Sequence, residues 1–158
     1  MKLAVIIAVF SCLMAVSLAH VCMFNPAQRT ALEGVNAPHA DACGLMTGPC
    51  GGAKPTDPEV WLMSGQKHTI VFQKNLNHYD AKYPQGGFQI SYAEDDSSDF
   101  HSLAFIKDTN TSSLTVYTAE ITAPTVTHPT PIVIRTEYIV SFGSFKQCAN
   151  IGLLPVGH

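Results

Sequence analysis

The chain has 158 residues, of which 13% are charged, with a formal net charge of −3. Its length suits one domain large enough to bury a core. Its nine Lys and Arg form no basic run or stripe, which speaks against nucleic acid as a partner, because phosphate binding needs clustered cations.

Residues 1–19 read as a secretory signal peptide. Lys2 supplies the basic start, Leu3 to Leu18 the apolar run, and Ser17-Leu18-Ala19 the small-residue cleavage site. Cleavage after Ala19 leaves residues 20–158 as a single secreted, extracellular domain, and losing Lys2 takes the net charge from −3 to −4. No later segment approaches the roughly 20 apolar residues that cross a bilayer, so no membrane span is expected after cleavage. His20 becomes the first residue. Its α-amino group and imidazole can then chelate one metal ion together, which an internal histidine cannot do. Any residue can follow a cleavage site, so the rest of the chain must decide what His20 means.

From Val21 to Val60 the chain is rich in Pro, Gly, Ala and Cys and lacks sustained periodicity. It reads as an irregular, disulfide-tied segment with at most short helical turns. From His68 onward, short β-prone runs alternate with turn residues. They cover 69–72, 88–92, 102–106, 114–121 and 132–139, with a last run through Ile151. Phe88, Ile90 and Tyr92, like Leu114 and Val116, alternate as strands with one buried face do. The pattern predicts an all-β fold, an antiparallel β-sandwich. The Pro-rich stretch from Ala123 to Pro131 cannot form a central strand and is expected as an extended connection.

Cys12 lies in the signal peptide, which leaves Cys22, Cys43, Cys50 and Cys148. Four cysteines in an exported chain favour two disulfides, with three possible pairings. Structural zinc is the competing reading, weakened by the absence of a Cys-x-x-Cys pair. Asn110-Thr111-Ser112 is a glycosylation sequon in a polar stretch expected to be an exposed loop.

Seven histidines are present. His39 and His128 adjoin prolines, His68 precedes a strand, His101 lies in an Asp/Ser-rich turn and His158 ends the sequence; all read as solvated. His78 differs, because it sits on a connection between two strands. A stiff sandwich would hold it there to meet a ligand from the chain's start.

The segment His20-Val21-Cys22-Met23-Phe24-Asn25-Pro26-Ala27-Gln28-Arg29 resembles the mature start of lytic polysaccharide monooxygenases and their relatives, where Pro and Arg follow an N-terminal His at these offsets. Pro49-Cys50-Gly51-Gly52 is similar to a Cys-Gly-Gly segment of several of these families. Asn77-His78-Tyr79 followed by Phe88 to Tyr92 is similar to their second histidine and next strand, and Phe145-Lys146-Gln147-Cys148-Ala149-Asn150-Ile151 to their last motif. Four motifs in this order span nearly the whole mature chain.

The resemblance implies an immunoglobulin-like or fibronectin-like β-sandwich that holds one copper ion in a histidine brace. His20 would give its amino nitrogen and Nδ1, His78 would give Nε2, and Phe145 would be the axial aromatic. Three nitrogens suit copper, which leads the divalent affinity order. The resemblance also implies Cys50–Cys148 and Cys22–Cys43 pairing; a Cys22 thiolate ligand is the alternative. Asp80 stands where some copper-binding relatives carry a carboxylate near the metal. Arg135-Thr136-Glu137 matches an Arg-x-Glu strand that lies around the site in polysaccharide-cleaving relatives.

Two positions depart from those relatives. Phe142 stands where a further histidine, around the metal but not bound to it, is expected, and Gly143 where a glutamine is. The loops before the first strand are short for a polysaccharide face, although Trp61, Tyr79 or Tyr83 could stack on sugar rings. Three readings follow: a copper-binding protein for copper capture, transport or signalling; a copper-dependent enzyme cleaving chitin or cellulose oxidatively; and a metal-free extracellular structural or recognition domain. The partners implied are copper itself and either an extracellular polysaccharide or a copper-exchanging protein.

Overall fold

The computed structural model describes residues 20–156; residues 1–19, read above as a signal peptide, and residues 157–158, with His158, lie outside them. Eight strands follow one another: β1 (His20–Asn25), β2 (Val60–Met63), β3 (Lys67–Leu76), β4 (Gly87–Ala93), β5 (His101–Lys107), β6 (Thr115–Thr122), β7 (Thr130–Val140) and β8 (Gly143–Leu154). A three-stranded sheet in the order β1-β3-β6 packs on a five-stranded sheet in the order β2-β8-β7-β4-β5. The only helical element among the described residues is one 3-10 turn, Asp41–Cys43.

Alternation puts one face of each sheet into the core. On β7, Ile132, Ile134, Thr136, Tyr138 and Val140 point inward; on β8, Phe145, Gln147, Ala149, Ile151 and Leu153 do. They meet Val21, Met23, Ile70, Phe72 and Ile121 of the small sheet. Phe88 lies between the layers, 4.5 Å from the Tyr138 ring and 5.1 Å from Phe72. Each such side chain contributes about 1.5–3 kcal/mol by leaving water.

Apart from shifts at strand ends, which put His68 inside β3 and make His101 the first residue of β5, the structure differs from the sequence reading in three places. β1 lies inside the segment read as irregular. Its first four residues are all buried, Val21 and Met23 by the core and Cys22 by the loop behind it, so no alternation appears in the sequence. β2 lies at the segment's end and runs parallel to β8, whereas every other pairing is antiparallel. The connection after Ala123 ends two residues early, because β7 begins at Thr130 and takes Pro131 as its second residue. A proline is tolerated there because it sits at the strand's entry.

Disulfides Cys22–Cys43 and Cys50–Cys148 tie the irregular segment to β1 and to the outer face of β8. That pairing is the one the resemblance implies. Arg29 explains two of the motifs at once. Its side chain, 1% exposed, makes two bonds to Asp96, at 2.6 and 2.7 Å, and donates from Nε to Asn150 at 2.7 Å. The Arg of the opening motif and the Asn of the closing one are therefore one structural contact. Gly51 of the Cys-Gly-Gly segment has φ +68°, and a Cβ there would lie 2.8 Å from the Lys146 carbonyl oxygen. Replacing Arg29 with Met leaves Asp96 and Asn150 without their cation, and should lower the unfolding free energy by about 3 kcal/mol in urea titration.

Candidate metal centre

Strand register sets His20 opposite Leu76, two residues before His78. His20 pairs with Leu76, and Val21 with Lys74, so Asn75 is an extra residue with no partner on β1. Such a bulge re-aims the strand end beside it. The buried Asn75 amide accepts from the Ala40 N–H at 2.9 Å and donates to the Ala37 carbonyl at 3.0 Å, which fastens the loop carrying His39. His78 follows two residues after Leu76.

The His20 imidazole is buried and tightly enclosed. It lies nearly parallel to the Phe145 ring, with centroids 6.3 Å apart and planes at 13°. A Cβ on Gly44 would come within 2.5 Å of its Nε2, 2.8 Å of Cδ2 and 3.3 Å of Cε1. Only glycine fits that close an approach. The Nε2 edge thus abuts the loop, and Nδ1 lies on the side away from Gly44. The other imidazole, His78, meets Phe142 edge to face at 5.5 Å, and Phe142 meets Phe145 at 6.2 Å. The two histidines therefore flank a pair of phenylalanines, one buried (Phe145) and one 53% exposed (Phe142).

A buried polar network holds the His78 loop. Its backbone N–H donates to the Tyr138 hydroxyl at 3.2 Å, and that hydroxyl donates to Asp108 Oδ2 at 2.5 Å. Lys74, fully buried, donates to Asp108 Oδ1 at 2.7 Å and to the Thr111 carbonyl at 3.0 Å. Burial pushes the Lys74 ammonium below its usual range, and burial followed by the bond to Asp108 pushes the Tyr138 phenol well above its own. The sequence reading missed this triad. The one available signal was a lysine inside the apolar run Val71-Phe72-Gln73-Lys74.

The remaining predicted site residues separate. Asp80 shares the His78 loop, and its Oδ1 accepts from the Lys82 N–H at 2.8 Å, closing its own turn. Arg135 and Glu137 leave β7 on the face opposite Tyr138. Arg135 stacks on Phe100 at 3.8 Å and pairs with Glu137 at 3.2 Å, while Glu137 accepts from Ser144. Trp61 lies against Gly152, far along β8 from Phe145 and so at the other end of the sheet; Tyr79 stands exposed beside His78. Asn110 is exposed next to the same loop and accepts from Asn77 at 3.0 Å. His39, read as a solvated loop histidine, is exposed, yet its ring meets His20 edge to face at 5.6 Å from an unusual φ of +70°. Among the described residues, no three His, Cys, Asp or Glu side chains gather into a ligand set.

By sequence, neither a family model nor a curated protein matches the chain. Solved structures match it in shape. A CBM33-type polysaccharide monooxygenase studied by X-ray photoreduction superposes with a TM-score of 0.52 and 12% identity, over 85% of this chain and 99% of that one. A Jonesia denitrificans lytic polysaccharide monooxygenase gives 0.51 and 13%, again over 85% and 99%. The fold is that of the lytic polysaccharide monooxygenases. A cellulose-active monooxygenase of this kind, in complex with copper, aligns over 64% of this chain at 16% identity and a TM-score of 0.45; the match spans only 55% of its length. In the lytic polysaccharide monooxygenase fold adopted here, the start of β1 and the His78 loop lie at one end of the sandwich, as the His20–Leu76 pairing requires.

Tyr138→Phe removes the hydroxyl between Asp108 and His78 and should cost about 1–3 kcal/mol of stability, read by urea unfolding. The cost should shrink above pH 10, the ordinary tyrosine value. There the unfolded tyrosine ionises while the folded one keeps its proton, so rising pH favours the unfolded wild type and leaves the phenylalanine variant untouched.

Proposed function

We propose that this is a secreted copper-binding protein whose single ion is held by the His20 amino nitrogen and Nδ1 together with the His78 imidazole, for copper capture, transport or signalling. The observation that carries the reading is the enclosure of His20. Gly44 abuts the Nε2 edge and the Phe145 ring lies nearly parallel to the imidazole, so Nδ1 is on the side of the ring away from the Gly44 loop. Two imidazoles alone make a weak site. A third donor that is not a side chain, the amine freed by cleavage after Ala19, completes a set of three nitrogens, and such a set suits copper in both oxidation states. Bound copper would supply one-electron redox chemistry and Lewis acidity at this end of the sandwich. The chain's residues would orient the imidazoles and wall the ion with hydrocarbon.

Oxidative cleavage of chitin or cellulose is the second reading, favoured by the activity named for proteins of the same fold. Against it stands Phe142. The Phe142 ring that meets His78 is hydrocarbon and can neither hold nor move a proton, whereas polar groups around a metal support its activity. Arg135 and Glu137 are engaged on the outer face of β7 with Phe100, Ser144 and Lys146.

Correctly processed protein should bind one Cu(II) with a nitrogen-ligated type 2 signal in electron paramagnetic resonance. His78→Ala or one extra residue ahead of His20 should abolish that signal. Gly44→Ala, which drives a methyl into the His20 ring, should weaken Cu(II) binding about 10–100-fold by competition titration. A processed protein without the signal would eliminate both copper readings. Incubated with chitin or cellulose and ascorbate, the copper-loaded protein should release no oxidised oligosaccharides; their release would move the assignment to the enzyme.

A further inference from the structure

Asn110 holds a position that its sequon alone does not reveal. It lies on the loop between β5 and β6, exposed, with φ +62°, and its Oδ1 accepts from Asn77 Nδ2 at 3.0 Å. Asn77 immediately precedes His78, and the other end of its amide, Oδ1, accepts from the Tyr79 N–H at 2.9 Å. One side-chain contact therefore separates Asn110 from the backbone of residues 77–79. The contact is not a loose one. The Asn77 N–H donates to Ser113 Oγ at 2.9 Å, the Asn110 N–H donates to Asp108 at 3.0 Å, and Lys74 holds both Asp108 and the Thr111 carbonyl. The sequon loop and the His78 loop form one hydrogen-bonded block.

With Oδ1 turned to Asn77, the Asn110 Nδ2 points away from that contact. We propose that Asn110 carries an N-linked glycan rooted at the rim of the metal centre, which keeps insoluble polysaccharide off the His78 and Tyr79 face while leaving it open to copper ions and small soluble carriers. In forming it, Nδ2 bonds to the sugar's anomeric carbon and loses a proton. The glycosyl–phosphate bond of a lipid-linked oligosaccharide diphosphate donor breaks, and the lipid diphosphate leaves. A bulky, hydrated oligosaccharide rooted beside Tyr79 occupies the ground a flat crystalline polymer must cover to reach the histidines. This deepens the copper reading, because it adds a steric reason why a protein of a polysaccharide-cleaving fold would serve soluble copper.

The test compares the wild type with Ser112→Ala, both expressed with residues 1–19 in a eukaryotic secretory host. The Ser112 side chain is exposed and only its carbonyl bonds to Thr115, so the variant destroys the sequon and keeps the Asn110–Asn77 bond. Intact mass should show a glycan on the wild type that the variant lacks. In pull-downs with chitin and with cellulose, both run on metal-free protein, the variant should be retained several-fold more than the wild type. An unmodified Asn110 overturns the proposal, and so does equal retention of the two forms. Neither measurement involves copper. Electron paramagnetic resonance of the copper-loaded variant separately reports whether the metal reading stands.

Discussion

A lysine and an aspartate taken out of water must answer each other, and in this protein Lys74 and Asp108 do so beside the His78 loop, at the end of the sandwich where His20 pairs with Leu76. Asp108 collects the Lys74 ammonium, the Tyr138 hydroxyl and the Asn110 N–H. Through them it joins β3, β7 and the loop between β5 and β6. Removing one partner of so buried a pair costs about 3–5 kcal/mol, because the other is left as an uncompensated charge. The pair is thus less a source of net stability than a constraint on geometry. The β3 end, the His78 loop and the sequon loop can dock in the one arrangement that satisfies every lone pair and proton.

The histidines are then dressed in hydrocarbon. Phe145 covers one face of His20, Phe142 meets His78, and Gly44 lets the loop press on the His20 Nε2 edge. Aromatic walls contribute no donor atoms, so in the copper reading coordination would fall to nitrogen. The same aromatic side chains make this end of the sandwich poor in proton carriers. A fold shared with polysaccharide monooxygenases does not by itself fix what chemistry such a site carries.

Much of this was legible in residue order. Short alternating strands, two disulfides' worth of cysteines and the four motifs pointed to the sandwich, and the spacing of Phe88, Ile90 and Tyr92 named a core face that the structure keeps half-turned inward, with Phe88 and Ile90 fully buried. β1 was not legible, because a strand buried on both sides has no alternation. The Arg29–Asn150 contact was invisible for another reason. Its partners are 121 positions apart, and nothing local in either motif says that they touch. Lys74 looked like an ordinary strand residue until Asp108 and Tyr138 were seen around it.

The sequence by itself determined the chemistry at hand: a histidine that follows the apolar opening run, a second on a loop between strands, four cysteines after residue 19, one sequon, and a β pattern with few charges. Those are properties of single residues and short windows. Only the tertiary structure decided which of them act together. It set His20 opposite Leu76, turned its Nε2 edge to Gly44, sent Arg135 and Glu137 to the outer face, and bonded Asn110 to Asn77 beside His78. These relations depend on strand register and on the pairing of buried polar groups, which link residues far apart in the chain and leave no periodic trace along it.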